Sequence, residues 1–103
     1  MAFDETLDLK LRAITEKDSM IRKKMFGGTC YLSENKMVCG VWKEYLILRL
    51  GENQAKEELQ NGFGKAFDIT GKAMKGWIMV NKDLTVENIE KWIIKAKTFV
   101  NTI

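Results

Sequence analysis

Two cysteines, Cys30 and Cys39, are the side chains best suited to chemistry in this chain of 103 residues, which contains no histidine. Without an imidazole base, neither a thiol nor a hydroxyl can be activated as in a histidine-containing triad, and histidine-containing metal sites are excluded. Two cysteines are also too few for a four-cysteine zinc site or a disulfide framework. We therefore expect no catalytic residues, no metal and no cofactor.

The two cysteines fit two interpretations. They could form a redox pair or a reactive thiol, which would require exposure and a nearby cation. Alternatively, they could pack as small hydrophobic residues. Residues two positions apart on a strand lie on the same face. This spacing relates Cys30 to Leu32, and Cys39 to Met37 and Val41, so we expect all five on one apolar face. We favour packing.

The densest charge cluster is Arg22-Lys23-Lys24, in a chain of net charge +3. Such a cluster could neutralise nucleic-acid phosphates. However, no aromatic residues are interleaved with it, as they are in single-strand binders. We favour a solvated edge strand protected by its charge, and we retain nucleic-acid contact through Arg22 and Lys24 as the alternative.

A second basic segment runs from Gly71 to Gly76 and ends at Trp77. Lys72, Lys75 and Trp77 are candidate contacts for a partner, because loops often carry binding residues. A surface loop anchored by Trp77 is the simpler interpretation. The carboxylates form no evident pair of catalytic acid and base. They are scattered over helix faces that we expect to be solvated: Asp4, Glu5, Asp8, Glu57 and Glu58.

Periodicity places these side chains on an α+β framework. Helical spacing predicts helices over residues 4–17, 52–60 and 86–101, with Asp4 and Asn53 as caps and Gly62 ending the second helix. Period-two alternation predicts strands over residues 22–26, 29–33, 37–42, 45–50 and 77–80, and 63–69 is ambiguous. We expect an antiparallel sheet, a meander plus one later strand, packed on one face against the N-terminal and C-terminal helices.

The segment Glu34-Asn35 predicts a two-residue hairpin loop, because asparagine tolerates positive φ. This loop sets Leu32 opposite Met37 and Cys30 opposite Cys39. On the next strand, the alternation predicts Leu46, Leu48 and Leu50 on the inner face.

The last helix has an apolar seam from Val86 to Ile103, widened by Trp92 and Phe99. Packing on its own sheet is the default for so short a seam. A homodimer through this helix is the alternative, because the two aromatic residues exceed the needs of one narrow seam.

The first residues, MAFDETLDLKLR, contain early acids and no continuous apolar run, so we predict no signal peptide. No stretch approaches the ~18 apolar residues of a membrane span. With 46% hydrophobic and 30% charged residues, the composition is typical of a globular domain. We expect a cytoplasmic protein that does not bind membranes.

The segment Lys24-Met25-Phe26-Gly27-Gly28 resembles the N-terminal domain of the TfoX/Sxy competence-regulator family, which typically has Arg-Met-Phe-Gly-Gly there. Lys24 replaces the arginine, and Asn81 stands where the family often has proline. The resemblance extends over about residues 5–100, through Lys36-Met37, Tyr45–Arg49, Phe67, the loop 71–74, Trp77 and Trp92.

This resemblance implies the α+β fold and a cytoplasmic, bacterial, regulatory or accessory role. We expect residues 1–103 to form one domain of this type. This expectation departs from the two-domain regulators of the family, which carry a second, helical domain. The resemblance also implies that four motif residues are structural: Met25, Phe26, Gly27 and Gly28. Taken on its own, the glycine pair Gly27-Gly28 could bind an anion through backbone N–H groups, although we favour a tight bend. We expect a non-catalytic, protein-binding module linked to transcription or competence regulation. Direct nucleic-acid binding is the alternative, and a small enzyme is less favoured.

Overall fold

Three helices pack on one face of a six-stranded sheet in the computed structural model, which describes residues 4–17, 19–25, 27–67, 75–81, 83 and 88–103. The helices are α1 (Glu5–Glu16), α2 (Glu52–Gln60) and α3 (Ile89–Val100). The strands are β1 (Ile21–Met25), β2 (Gly28–Ser33), β3 (Lys36–Trp42), β4 (Tyr45–Arg49), β5 (Lys65–Ala66) and β6 (Trp77–Asn81). None of the described helices is long and apolar enough to cross a lipid bilayer.

The sheet has the order β1-β2-β3-β4-β6-β5, and every neighbouring pair is antiparallel. The first four strands form the predicted meander, and β6 is the predicted later strand. The ambiguous segment 63–69 contributes the short strand β5. The α+β prediction is confirmed.

Helix boundaries follow local capping chemistry. The Asp4 carboxylate accepts a hydrogen bond from the Leu7 backbone nitrogen at 2.8 Å, so the predicted cap of α1 is confirmed. The predicted Asn53 cap of α2 is wrong, since the helix begins at Glu52 after Gly51, which has φ 91°. Gly62, with φ 79°, ends α2 in the left-handed conformation as predicted. The predicted start of the last helix at residue 86 lies outside the described residues.

A β-bulge lies between β2 and β3. Glu34 and Asn35, with φ 52° and 68°, form the predicted two-residue turn, and Leu32 is opposite Met37 as predicted. The register then shifts beside Leu32, which leaves Val38 as an extra residue on β3. A bulge of one residue reverses the side-chain alternation beyond it.

The bulge overturns the predicted cysteine pairing. Cys30 is opposite Gly40, and Tyr31 is opposite Cys39. Because Tyr31 and Cys39 both belong to the helix-side core, Cys30 alternates onto the other face of the sheet. The prediction that both cysteines share one face was therefore wrong, since period-two counting assumes an unbroken strand.

The main core lies between the helices and the sheet. Leu46 and Leu48, fully buried on β4, and Leu50, just beyond it, confirm the predicted inner face. They pack with apolar residues of all three helices, including Leu7, Leu11, Ala55, Ile93, Ala96 and Val100. A smaller cluster contains Ile47, Phe67 and Met79, with Trp42, Tyr45 and Trp77 packed around it.

Candidate functional site

The first candidate is a buried polar cluster around Asp8 of α1. Its side chain was predicted to be solvated, but Asp8 is only 4% exposed. Arg22 of β1 donates to Asp8 Oδ2 from Nη2 at 2.8 Å, and Thr29 of β2 donates from Oγ1 to Oδ1 at 2.8 Å. The Tyr31 hydroxyl also donates to Oδ1. This cluster joins α1 to the two first strands.

The electrostatics of this cluster favour a structural role. Burial would raise the pKa of Asp8, but the hydrogen bonds from Arg22, Tyr31 and Thr29 and the charge of Arg22 outweigh burial and hold that pKa below the usual 3.8. Burial, and then the Asp8 carboxylate, raise the pKa of the Tyr31 phenol. The carboxylate is thus charged with both oxygens occupied, and the phenol is protonated. Neither is available as a general base.

The basic cluster lies on β1, which is an edge strand as predicted. Arg22 is ion-paired with Asp8, whereas Lys23 and Lys24 are exposed. The charge of Arg22 is therefore largely compensated within the chain. Nucleic-acid contact through Arg22 and Lys24 stays a prediction.

Cys30 and Cys39 are both fully buried and form no disulfide. Burial raises the pKa of each thiol, and the neighbouring Cys30 raises that of Cys39 further. This is the environment of a packed, unreactive cysteine. Within the described ranges, no group of three or more histidine, cysteine, aspartate or glutamate side chains could hold a metal ion.

Three of the four family-motif residues, Met25, Gly27 and Gly28, lie where β1 ends and β2 begins. Met25 pairs with Gly28 and Gly27 has φ 75°, so the predicted tight bend is confirmed. A Cβ atom on Gly28 would overlap the carbonyl oxygen of Val41, and glycine is therefore required where β2 approaches β3. Phe26 lies outside the described residues.

A groove of about 500 Å³ lies between α2 and the β5–β6 edge of the sheet, and we call it the α2 groove. Its lining includes two of the predicted contact residues, Lys75 and Trp77. Ala55, Leu59 and Ala66 make it largely apolar, and Lys56 adds a second cation. Lys72 lies outside the described residues.

The predicted contact residues do not form one surface. Arg22 and Lys24 lie on β1, whereas Trp77 lies on β6, the fifth strand of the sheet order. At a strand spacing of about 4.8 Å, these strands are roughly 19 Å apart. The structure thus brings Lys75 and Trp77 together and separates them from the β1 cations.

Sequence reasoning missed a further surface, where cations lie over aromatic rings. The Lys43 ammonium lies 4.6 Å from the centre of the Trp42 ring, and the Lys65 ammonium lies 5.7 Å from that of Tyr45. The only sequence signal was the position of Trp42 and Tyr45 on either side of the β3–β4 turn. Lys65 reaches Tyr45 only because β5 joins the sheet beside β6.

The aromatic residues of α3 have partners within the chain. Trp92 stacks on Phe63 with ring centres 4.4 Å apart, and a Cβ on Gly51 would contact the Phe99 ring, so the backbone lies directly against it. These contacts account for the width of the apolar stripe. Ile94 is 53% exposed on the same helix, and a homodimer through α3 stays a prediction.

Comparison with known proteins shows the family of this chain. The family model of the TfoX N-terminal domain matches residues 12–99, from within α1 to the end of α3. Neither the curated proteins nor the solved structures give a match.

Proposed function

Because this chain belongs to the TfoX N-terminal domain family, we propose that it is a non-catalytic regulatory module that acts by binding a protein partner. The family is associated with competence regulation. We place the module in the bacterial cytoplasm, in the control of transcription or competence. Its task there is to hold a partner protein rather than to convert a substrate.

The α2 groove is the observation that carries the proposal. Its volume, about 500 Å³, lies within the range of about 300–1,000 Å³ that is typical of ligand pockets. Leu59 and Trp77, both half-buried, supply apolar surface, as at the centre of protein interfaces, and the buried Ala55 lies beneath them. The groove fits a peptide segment with an apolar anchor residue.

The charges beside the groove narrow the chemistry of the partner. Lys56 and Lys75 are exposed and line the groove, and Glu52 is the only acid in its described lining. Complementary charge favours the correct partner and speeds its association. We therefore propose that the anchor residue of the partner is flanked by aspartate or glutamate.

The buried ionisable groups support the non-catalytic part of the proposal. Asp8 has its acceptor oxygens occupied by Arg22, Thr29 and Tyr31. The two cysteines are buried with raised pKa values. In each case burial and neighbouring side chains account for the shifted pKa, and no catalytic role is needed to explain it.

The test is binding by matched charge-reversal variants. The wild-type chain captures a partner from a bacterial extract, and the purified partner is then titrated by calorimetry. We expect Lys56→Glu with Lys75→Glu to weaken binding at least tenfold. The control, Lys91→Glu with Lys95→Glu on α3, changes the net charge equally and should leave affinity within twofold. Equal loss in both variants, or no saturable partner, would contradict the proposal.

A further inference from the structure

The face of the sheet opposite the described helices carries aromatic residues at its β3–β4 end. Trp42 and Tyr45 are directly opposite each other across this hairpin, and both are half-buried. Beneath them lies the small cluster of Ile47, Phe67 and Met79, which is almost fully buried. The packed cluster holds the two rings in place. We call Trp42, Tyr45 and their cations Lys43 and Lys65 the aromatic face.

Each ring of this face has its own cation. Lys43 follows Trp42 directly in the β3–β4 turn, and its ammonium lies 4.6 Å from that ring centre. Lys65 belongs to β5, two strands from β4, and its ammonium lies 5.7 Å from the Tyr45 ring centre. Both lysines are exposed. The β3–β4 turn and β5 are distant in the sequence, yet each places a lysine ammonium over an aromatic ring of this face.

The pattern continues along the same side of the sheet. Arg49 alternates with Ile47 on β4, and its guanidinium lies 5.3 Å from the centre of the Trp77 ring. On the far edge, Lys23 pairs with Cys30 and therefore alternates onto this side. No strand residue in the described part of the chain is acidic. Two exposed acids lie near the face: Glu44 in the β3–β4 turn, and Asp83, two residues beyond the Asn81 that pairs with Tyr45. The four cations of this side outnumber them: Lys23, Lys43, Arg49 and Lys65. The face is therefore basic.

We propose that the aromatic face binds single-stranded nucleic acid, with bases stacked on Trp42 and Tyr45 and phosphates held by Lys43 and Lys65. Binders of single strands combine cations that follow the backbone with aromatic rings on which bases stack. A base can replace a lysine on a ring, since an exposed cation–π contact is weak and the flexible side chain can reach a phosphate. A duplex fits poorly, because its bases are already stacked and paired.

This inference is independent of the α2 groove. The residues that carry it lie in the β3–β4 turn, its flanking strand ends and β5, and none of the four lines that groove. It also differs from the β1 alternative, in which Arg22 is compensated by Asp8. The surface supplies the interleaved aromatic residues that the Arg22-Lys23-Lys24 cluster lacks.

The test is a titration of labelled thymidine and adenosine 12-mers, and of a 12-base-pair duplex, followed by fluorescence anisotropy at low salt. We expect saturable binding of the single strands, tighter than that of the duplex. For three to four phosphate contacts, log K should fall with log salt at a slope of roughly −2 to −3. Binding should also quench tryptophan fluorescence.

The decisive comparison uses two variants of equal charge. Lys43→Glu with Lys65→Glu should weaken single-strand binding at least tenfold. Lys91→Glu with Lys95→Glu removes a cation that lies 4.5 Å over Trp92 on the helical side, and it should change affinity by less than twofold. Circular dichroism verifies that both variants fold. No saturable binding, equal affinity for the duplex, or equal loss in both variants would overturn the proposal.

Discussion

Asp8 and Arg22, on α1 and the edge strand β1, form an ion pair with Oδ2 and Nη2 2.8 Å apart. The Asp8 side chain is 6% exposed and the Arg22 side chain is 30% exposed, so Asp8 is buried whereas Arg22 reaches solvent. Thr29 and Tyr31 complete the hydrogen bonding of the acid. The pair fixes α1 against β1 and β2.

We predict that Asp8→Asn lowers the free energy of unfolding by about 2–4 kcal/mol. The substitution removes the charge that balances Arg22 and turns one acceptor into a donor facing other donors. Urea unfolding followed by circular dichroism measures the change. Glu57→Gln, at an exposed position of α2, is the control and should stay within about 0.5 kcal/mol of the wild type. An equal effect in both variants would contradict the structural role of the pair.

The ion pair of Asp8 with Arg22 also predicts that the stability of the fold depends on pH. The pKa of Asp8 is lowered in the folded chain, so its contribution to stability is complete above the usual value of 3.8 and is lost as pH falls through the folded pKa. The stability difference between wild type and Asp8→Asn should therefore narrow below pH 3.8. Unfolding curves from pH 7 to acid measure it. A difference that is constant with pH would contradict the lowered pKa.

Gly28 should tolerate no side chain. Gly28→Ala places a Cβ atom on the carbonyl oxygen of Val41, and we expect a loss of more than about 2 kcal/mol. Gly62→Ala is the matched control, because its Cβ meets open space while its φ of 79° is still strained, at a cost of about 1 kcal/mol. Thermal unfolding of both variants separates overlap from strain. Equal losses would contradict the close approach of β2 and β3.

The thiols of Cys30 and Cys39 should be unreactive in the folded protein. Both are fully buried, and burial raises their pKa values, so little thiolate forms and reagents cannot reach it. We expect labelling by a chromogenic disulfide reagent to be slow in buffer and to reach both thiols rapidly in denaturant. Rapid stoichiometric labelling of the native chain would show that one thiol is accessible.

Several features were predictable because they depend on neighbours in the sequence. Helical spacing located α1, α2 and most of α3, and the Asp4 cap needs only the backbone of Leu7, three residues away. Likewise, Glu34-Asn35 determines its turn through its own φ angles. The glycine pair Gly27-Gly28 likewise indicated its own bend, because glycine adopts positive φ without steric cost.

Only the tertiary structure decided which distant residues meet. Asp8 joins Arg22 and Tyr31, which lie 14 and 23 residues along the chain, and nothing in the helical pattern distinguishes Asp8 from a solvated acid. One extra residue at Val38 reverses the parity of the strand, so Cys30 and Cys39 occupy opposite faces although each is buried. The aromatic face likewise exists because β5 folds back beside β6 and brings Lys65 to Tyr45. Local periodicity determines the elements, whereas bulges and long-range pairing determine which side chains share a surface.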